Sequence, residues 1–475
     1  MTHLPGIGPS STSAPAPLDG LAPHPCHDVS EPPAETLTAQ PPQPSSLARA
    51  FYGGFIEQPG ALGPSTASPQ LSPVDVKLRA HVDEARLREH VYTLAGPTMA
   101  GRDNNSVESA RARAYLVKEL AALGLTPLFG ASFEQPIMLA NGDRHGTNLG
   151  AVLPATEPNP KGEYVMLVAH YDHLGVEGGK VIAGADDNAS GVAAVLEAVR
   201  ALVRSAPKRR HDIVVVFPDC EEPPDVRTER MGSRYLMDHL PRAKDALRLA
   251  IVADVIGGDS LPGELLVLGA ETSPAASKLT ARVKDEAGAH VSRVSVAQVE
   301  KFLLPWERRG KSDYDSVRRH GRPSLFLTTG TTPHYHAPSD TPDTVSYSKL
   351  KAVTRYLAGL TLAAANDTAA VTYDEHVVDP QADLESLERL IRLVLANRPP
   401  DLLPARQAKL ERGLTRIAEM KATLRTRGAL GPATYYELMG IALEMQIALT
   451  RPALTTWQIL WHELKTRLAH IFGGK

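Results

Sequence analysis

Only two cysteines, Cys26 and Cys220, occur in the 475 residues. They lie far apart in different settings, so no disulfide framework holds this fold, and a reducing compartment suits the chain. Charge of one sign is not in excess either. The net charge is −3, which offers no basic surface to a nucleic-acid backbone. Apolar runs are short, and none reaches the length needed to span a bilayer. Lys and Arg are absent before Arg49, and no apolar h-region stands near the start. Neither a secretory leader nor an Arg-rich transit peptide is legible. The expectation is a cytoplasmic protein with no transmembrane segment; a start codon elsewhere would leave a secreted or periplasmic protein as the alternative.

What is present begins with proline. Residues 1–75 hold 15 of the 39 prolines among many Ser, Thr and Ala. That composition cannot bury a core and reads as a disordered tail, with Phe51, Tyr52 and Phe55 as a small aromatic patch able to dock. Residues 76–372 then alternate. A helix is predicted over 78–94 and another over 107–123, stopped by Gly124. Short strands are predicted at 147–153, 164–169, 212–217, 248–254, 264–268 and 324–328, with helices at 188–204, 229–239, 273–287 and 348–364. This alternation predicts an α/β three-layer sandwich around a mixed, mostly parallel sheet. Residues 373–475 read as a C-terminal helical module. Leu384, Leu387, Leu390, Ile391 and Val394 recur at helical spacing, as do Leu410, Leu414, Ile417, Met420 and Leu424. A last helix carries Trp457, Leu460, Trp461, Leu464, Leu468 and Phe472. These faces are expected to pack on each other or on the main domain; a homo-oligomer, a lid and a membrane-surface role are the alternatives.

Ligands gather at the carboxyl ends of strands in such sheets, and four predicted strand ends carry acids or imidazoles. The first gives His170, followed two residues on by Asp172, a spacing that lets a carboxylate orient a ligand imidazole. The second gives Glu221-Glu222, the third Asp254, and the fourth His336 after His334-Tyr335. Asp187 stands at a helix start in Gly184-Ala185-Asp186-Asp187-Asn188-Ala189-Ser190-Gly191. Two imidazoles and three carboxylates, with one glutamate to spare, suit two zinc ions better than one. The spare glutamate can serve as a general base.

His170-Tyr171-Asp172-His173-Leu174-Gly175, the Gly184–Gly191 run, Glu221-Glu222, Asp254-Val255-Ile256-Gly257 and Tyr335-His336-Ala337-Pro338-Ser339-Asp340-Thr341 follow one another in a characteristic order. In that order and over residues 80–365 the chain resembles metallopeptidase family 28, which includes leucyl aminopeptidases, glutamate carboxypeptidase and glutaminyl cyclase. The Gly101-Arg102 loop and Ser312-Asp313-Tyr314 are also similar to the family's. The resemblance implies two Zn2+ per chain. His170 and Asp254 would hold one ion and Glu222 and His336 the other, with Asp187 bridging. Asp172 would orient His170, Glu221 would act as general base, Tyr335 would stabilise the oxyanion, and Asp313 would support the site by hydrogen bonding. The implied activity is that of a zinc-dependent exopeptidase acting on peptides, an aminopeptidase first. A carboxypeptidase or dipeptidase, a glutaminyl cyclase-like transferase and an inactive scaffold are the alternatives.

One departure concerns specificity. Pro223 to Met231 lengthens and stiffens the loop before Gly232-Ser233, beside the expected substrate cleft. His173 and His334 are expected in hydrogen-bonding or rim positions, Asp186 as an outward or supporting acid, and Cys220 as a small packed residue. Lys301, Arg308, Arg309 and Lys311 form a basic run, solvated or able to hold a substrate carboxylate.

Overall fold

Apolar alternation along three central strands decides the architecture. The computed structural model describes residues 72–300, 310, 312–399 and 401–450. The expected tail through residue 71, the basic run and the Trp457–Phe472 helix lie outside the described residues. In β4 (Tyr164–Val168), β7 (Asp212–Phe217) and β8 (Leu247–Ala253) nearly every residue is buried. Successive side chains feed two cores. Val165, Leu167, Ile213, Val215, Leu249 and Ile251 join one; Met166, Val168, Val214, Val216, Ala250 and Val252 join the other. A sheet apolar on both faces must be covered on both faces, which is the three-layer arrangement.

Among the described residues the main sheet has nine strands. β1 (Thr126–Pro127) and β2 (Glu134–Met138) both pair antiparallel with β3 (Arg144–Leu153). The order then runs β3, β7, β4, β8, β11 (Ser324–Thr328), β9 (Glu264–Leu268) and β10 (His290–Val294). β7, β4, β8 and β11 are mutually parallel; β3 and β9 join them antiparallel, and β10 lies parallel to β9. A two-stranded hairpin, β5 (Gly175–Glu177) with β6 (Lys180–Ile182), stands apart.

One face carries α1 (Pro73–Ala80), α2 (Glu84–Leu94), α3 (Val107–Ala122), α4 (Gly191–Ser205), α6 (Pro274–Arg282) and α9 (Tyr347–Ala365). α5 (Gly232–Asp238), α7 (Ala297–Glu300) and α8 (Tyr314–Arg318) lie on the other. So do α10 (Pro380–Ala396), α11 (Pro404–Arg427) and α12 (Pro432–Thr450), whose Leu384, Leu387, Leu390, Ile417, Met420 and Leu438 share a core with Val214, Val252 and Val294. Each such leucine contributes about 1.5–3 kcal/mol by leaving water. No helix of the described residues is long and apolar enough to cross a membrane.

Two predicted helices are corrected. The stretch 78–94 is two helices, because Asp83 caps a new one: its carboxylate accepts the Ala85 N–H at 2.9 Å, and its own N–H goes to Glu197 at 2.6 Å. The helix predicted to run to 287 stops at Arg282. Val283 is extended, and Gly288 at φ +86° turns the chain into β10, a strand that the sequence reading lacked.

Candidate metal centre and active site

β4 is the pivot. The chain leaves it through α4 to reach β7 on one side, then through α5 to reach β8 on the other. These two helices cover opposite faces, so the connections diverge and a crevice opens at the carboxyl end of β4. His170 follows β4, Glu221-Glu222 follow β7, and Asp254 follows β8 directly. His336 comes from the loop after β11.

The backbone turns sharply at these ends. Cys220, Val255 and His336 hold φ of +58°, +53° and +54°, a left-handed region costly for a side chain branched at Cβ. At Val255 the surroundings enforce it: the carbonyl accepts the Thr329 N–H at 2.8 Å, the Thr328 hydroxyl at 3.0 Å and the Thr329 hydroxyl at 3.1 Å. Asp187 lies in a turn over Ala185–Ser190 where helical angles lapse (φ −108°, ψ 96°). Asp340 fixes that turn by accepting the N–H groups of Asp186 at 2.9 Å and Asp187 at 3.2 Å.

The side chains meet in two triples. His170 Nε2 is 3.3 Å from Asp187 Oδ1 and 3.4 Å from Asp254 Oδ1. His336 Nε2 is 3.1 Å from both Asp187 Oδ2 and Glu222 Oε2. Ligands bound tetrahedrally at about 2.0–2.1 Å stand about 3.3–3.4 Å apart, so both triples have edges close to a metal polyhedron. His336 Nε2 is buried with no hydrogen bond, despite its two carboxylate neighbours. An orphaned nitrogen of that kind fits a cation, and the two nitrogens with three carboxylates form a donor set that zinc accepts. Glu221 Oε2 lies 3.9 Å from His170 Nε2 and enters neither triple.

Electrostatics separates the acids. Burial raises the carboxyls of both Asp187 and Glu222, but the facing histidines outweigh it, and both end below the usual range. Glu221 goes the other way: burial, then Asp254, Glu222 and Asp313, push it well up against the pull of His170. Burial lowers His170 and His336, yet their carboxylates prevail; His336 is raised to about 10. Tyr335 is 42% exposed, and its ring stacks on His336 with centroids 3.9 Å apart. Desolvation and four carboxylates keep its phenol protonated, well above the ordinary value.

The supports differ partly from expectation. Asp172 reaches His170 Nδ1 only at 3.6 Å, and the nearer partner of that nitrogen is the Asp172 carbonyl at 3.3 Å. Its carboxylate instead accepts the N–H groups of Glu221 and Glu222, each at 3.2 Å. Asp313 is buried beside the cluster without hydrogen-bonding any of the five expected ligands, and burial pushes its carboxyl up to about 7. The bond expected of it comes from Ser312, whose hydroxyl donates to Asp254 Oδ2 at 2.6 Å. Asp186 is buried rather than outward and accepts the Gly257 N–H at 2.7 Å. His334 pairs with Ser339. Burial, then Asp219, push the Cys220 thiol well up.

His173, expected in a hydrogen-bonding or rim position, completes the frame together with Asp340 and Arg102, which had no assigned role. His173 Nδ1 holds Glu222 Oε1 at 2.6 Å. Asp340 sets the Asp187 turn. Arg102, fully buried, donates to the carbonyls of Leu94, Tyr171, Ala183 and Gly184 at 2.6–2.9 Å. All three stand in the quoted motifs or the Gly101-Arg102 loop, which is the signal that marked them.

Histidines and acids thus converge at the switch point of an α/β sheet, a donor set able to hold metal ions. Residues 148–361, a little under half of the chain, match the model of peptidase family M28. It is 30% identical over 217 residues to the uncharacterized protein YfbL of Escherichia coli (strain K12), a match covering 40% of this chain and 64% of YfbL. The chain thus spans under two thirds of that curated relative. Among solved structures it is similar to LapB from Legionella pneumophila, with 17% identity, a TM-score of 0.50, and coverage of 66% of this chain and 78% of LapB. It is also similar to the glutaminyl cyclase of Porphyromonas gingivalis, with 18% identity, a TM-score of 0.45, and coverage of 59% and 98%.

Proposed function

We propose that the protein is a zinc-dependent exopeptidase of the aminopeptidase type, with His170 and Asp254 holding one Zn2+, Glu222 and His336 the other, and Asp187 shared between them. The observation that carries the reading is Asp187, whose Oδ1 faces one triple and Oδ2 the other. Bound zinc supplies Lewis-acid polarisation of the scissile carbonyl and a lowered pKa for water.

The chain's own groups do the rest. Glu221, outside both triples and strongly basic for a carboxylate, takes a proton from the attacking water. As the C–N bond breaks, Glu221 passes that proton to the leaving amine. Tyr335 keeps its proton and donates a hydrogen bond to the developing oxyanion. The choice of a free N-terminus follows the resemblance of the motifs to those of leucyl aminopeptidases.

The test is hydrolysis of paired free-amine and N-blocked peptides by wild type and Glu221→Gln, before and after chelation and zinc return. Release of N-terminal residues should require metal, and Glu221→Gln should lower kcat by about 10²–10⁴-fold while still binding zinc. Cleavage of blocked peptides alone, from the C-terminal end, overturns the aminopeptidase assignment. Cyclisation of N-terminal glutamine without hydrolysis overturns the peptidase assignment.

A further inference from the structure

The residue before Glu221 belongs to a second group of ligand-type side chains. A ring nitrogen of His145, the Cys220 sulfur and an Asp225 carboxylate oxygen all lie within 4.8 Å of one another. Cys220 and Asp225 are buried, and His145 is half-buried at the rim. We propose that these three side chains form a third divalent-cation site, bearing a thiolate, that takes zinc or another borderline metal.

The donor set argues for that class of ion. Sulfur, imidazole nitrogen and one carboxylate oxygen match zinc and cobalt, whereas magnesium and calcium demand oxygen. A thiolate offsets one charge of the ion, and Asp225, which also pairs with Arg230, offsets part of the other. As the sulfur–metal bond forms, the thiol proton passes to solvent. The surroundings suit the bound form. The Asn104 side-chain amide stands 3.3 Å from Cys220 Sγ and 3.4 Å from Asp225 Oδ2, a donor aimed at both ligands. Residue 146 is glycine, and a Cβ there would lie 2.4 Å from the sulfur. Arg230 Nε, on the exposed side, is 2.7 Å from Asp225 Oδ1 and leaves Oδ2 to the site.

His145 Nε2 and Asp225 Oδ2 are 2.6 Å apart. Tetrahedral zinc with bonds of about 2.0–2.2 Å to nitrogen and oxygen sets those ligands about 3.3–3.5 Å apart, so His145 swings outward by roughly an ångström on loading. Its half-buried position permits this and leaves the fourth position to water. The ion is therefore exchangeable, and the site fills after the histidine–carboxylate triples.

Cobalt titration of the full-length protein tests the proposal without reference to turnover. Thiolate ligation gives a sulfur-to-cobalt charge-transfer band in the near ultraviolet, which nitrogen and oxygen ligands do not produce. The band is expected in wild type and in Cys26→Ser, at higher cobalt than the visible d–d bands. It should vanish in Cys220→Ser, and His145→Ala should need at least 10-fold more cobalt to reach it. Visible bands that persist in both variants show the protein folded and the other triples intact. No near-ultraviolet band in wild type, or one that survives Cys220→Ser, overturns the third site. Loss of the visible bands would instead strike the di-zinc reading.

Discussion

Asp172 and Glu221 are joined through the main chain: Asp172 Oδ1 accepts the Glu221 N–H at 3.2 Å, and Oδ2 accepts that of Glu222 at the same distance. The carboxylate thus sets the register of the proposed base and of a proposed ligand together. Asp172→Asn keeps the shape but turns one acceptor into a donor facing an N–H. Activity should fall about 10–100-fold, mostly in kcat. Stopped-time assays at saturating peptide, with metal content measured alongside, check this. An unchanged kcat would leave Asp172 a packing role only.

Asp187 and Asp254 should differ in how many ions they cost. Asp187 offers an oxygen to each triple, whereas Asp254 serves only the one around His170. Asp187→Asn should therefore weaken both ions, and Asp254→Asn should spare the one at His336 and Glu222. Elemental analysis after equilibrium dialysis reads the two stoichiometries. Equal loss in both variants would contradict a shared Asp187.

Arg102 supports three segments at once through the carbonyls of Leu94, Tyr171, Ala183 and Gly184. Burial lowers its guanidinium to about 10, with Asp172 and Asp340 opposing, so it stays charged at neutral pH. Arg102→Met strands these buried acceptors and should cost at least about 3 kcal/mol. Arg102→Lys should recover only part, because an ammonium cannot fork to four carbonyls. Urea midpoints on all three proteins give the comparison.

Asp383 makes stability depend on pH. It accepts the Ser295 N–H and the Tyr435 hydroxyl, each at 2.6 Å, yet burial outweighs these bonds and pushes its carboxyl from 3.8 up to about 6. A raised carboxyl favours the folded state fully below about pH 4, and that contribution fades as pH rises through about 6. Wild type measured against Asp383→Asn should lose about 1.4 kcal/mol per pH unit across this window. A flat difference in denaturation midpoints would mean that the acid titrates normally.

The strand ends were legible because buried parallel strands read as short apolar runs, and the residues just beyond them are read at once. Asp212–Phe217, Glu264–Leu268 and Ser324–Thr328 lie where the runs put them. What escaped depends on contacts between distant segments. Asp340 reaches the Asp187 turn across more than 150 residues, and no local pattern encodes that. Ser312, not Asp313, bonds Asp254, a difference of one position decided by the turn before α8. The break at Asp83 was readable as a cap but was masked by apolar spacing that ran through it.

The ligand-type residues are spread from His170 to His336, with the Asp187 turn held by Asp340. A chain that ends before the loop after β11 lacks His336 and Asp340 and cannot assemble both triples. Early fragments still carry His170, Asp187 and Glu222, enough to scavenge an ion weakly, but not the pocket that orders them. If the triples hold metal as proposed, loading would follow the emergence of β11 and its loop.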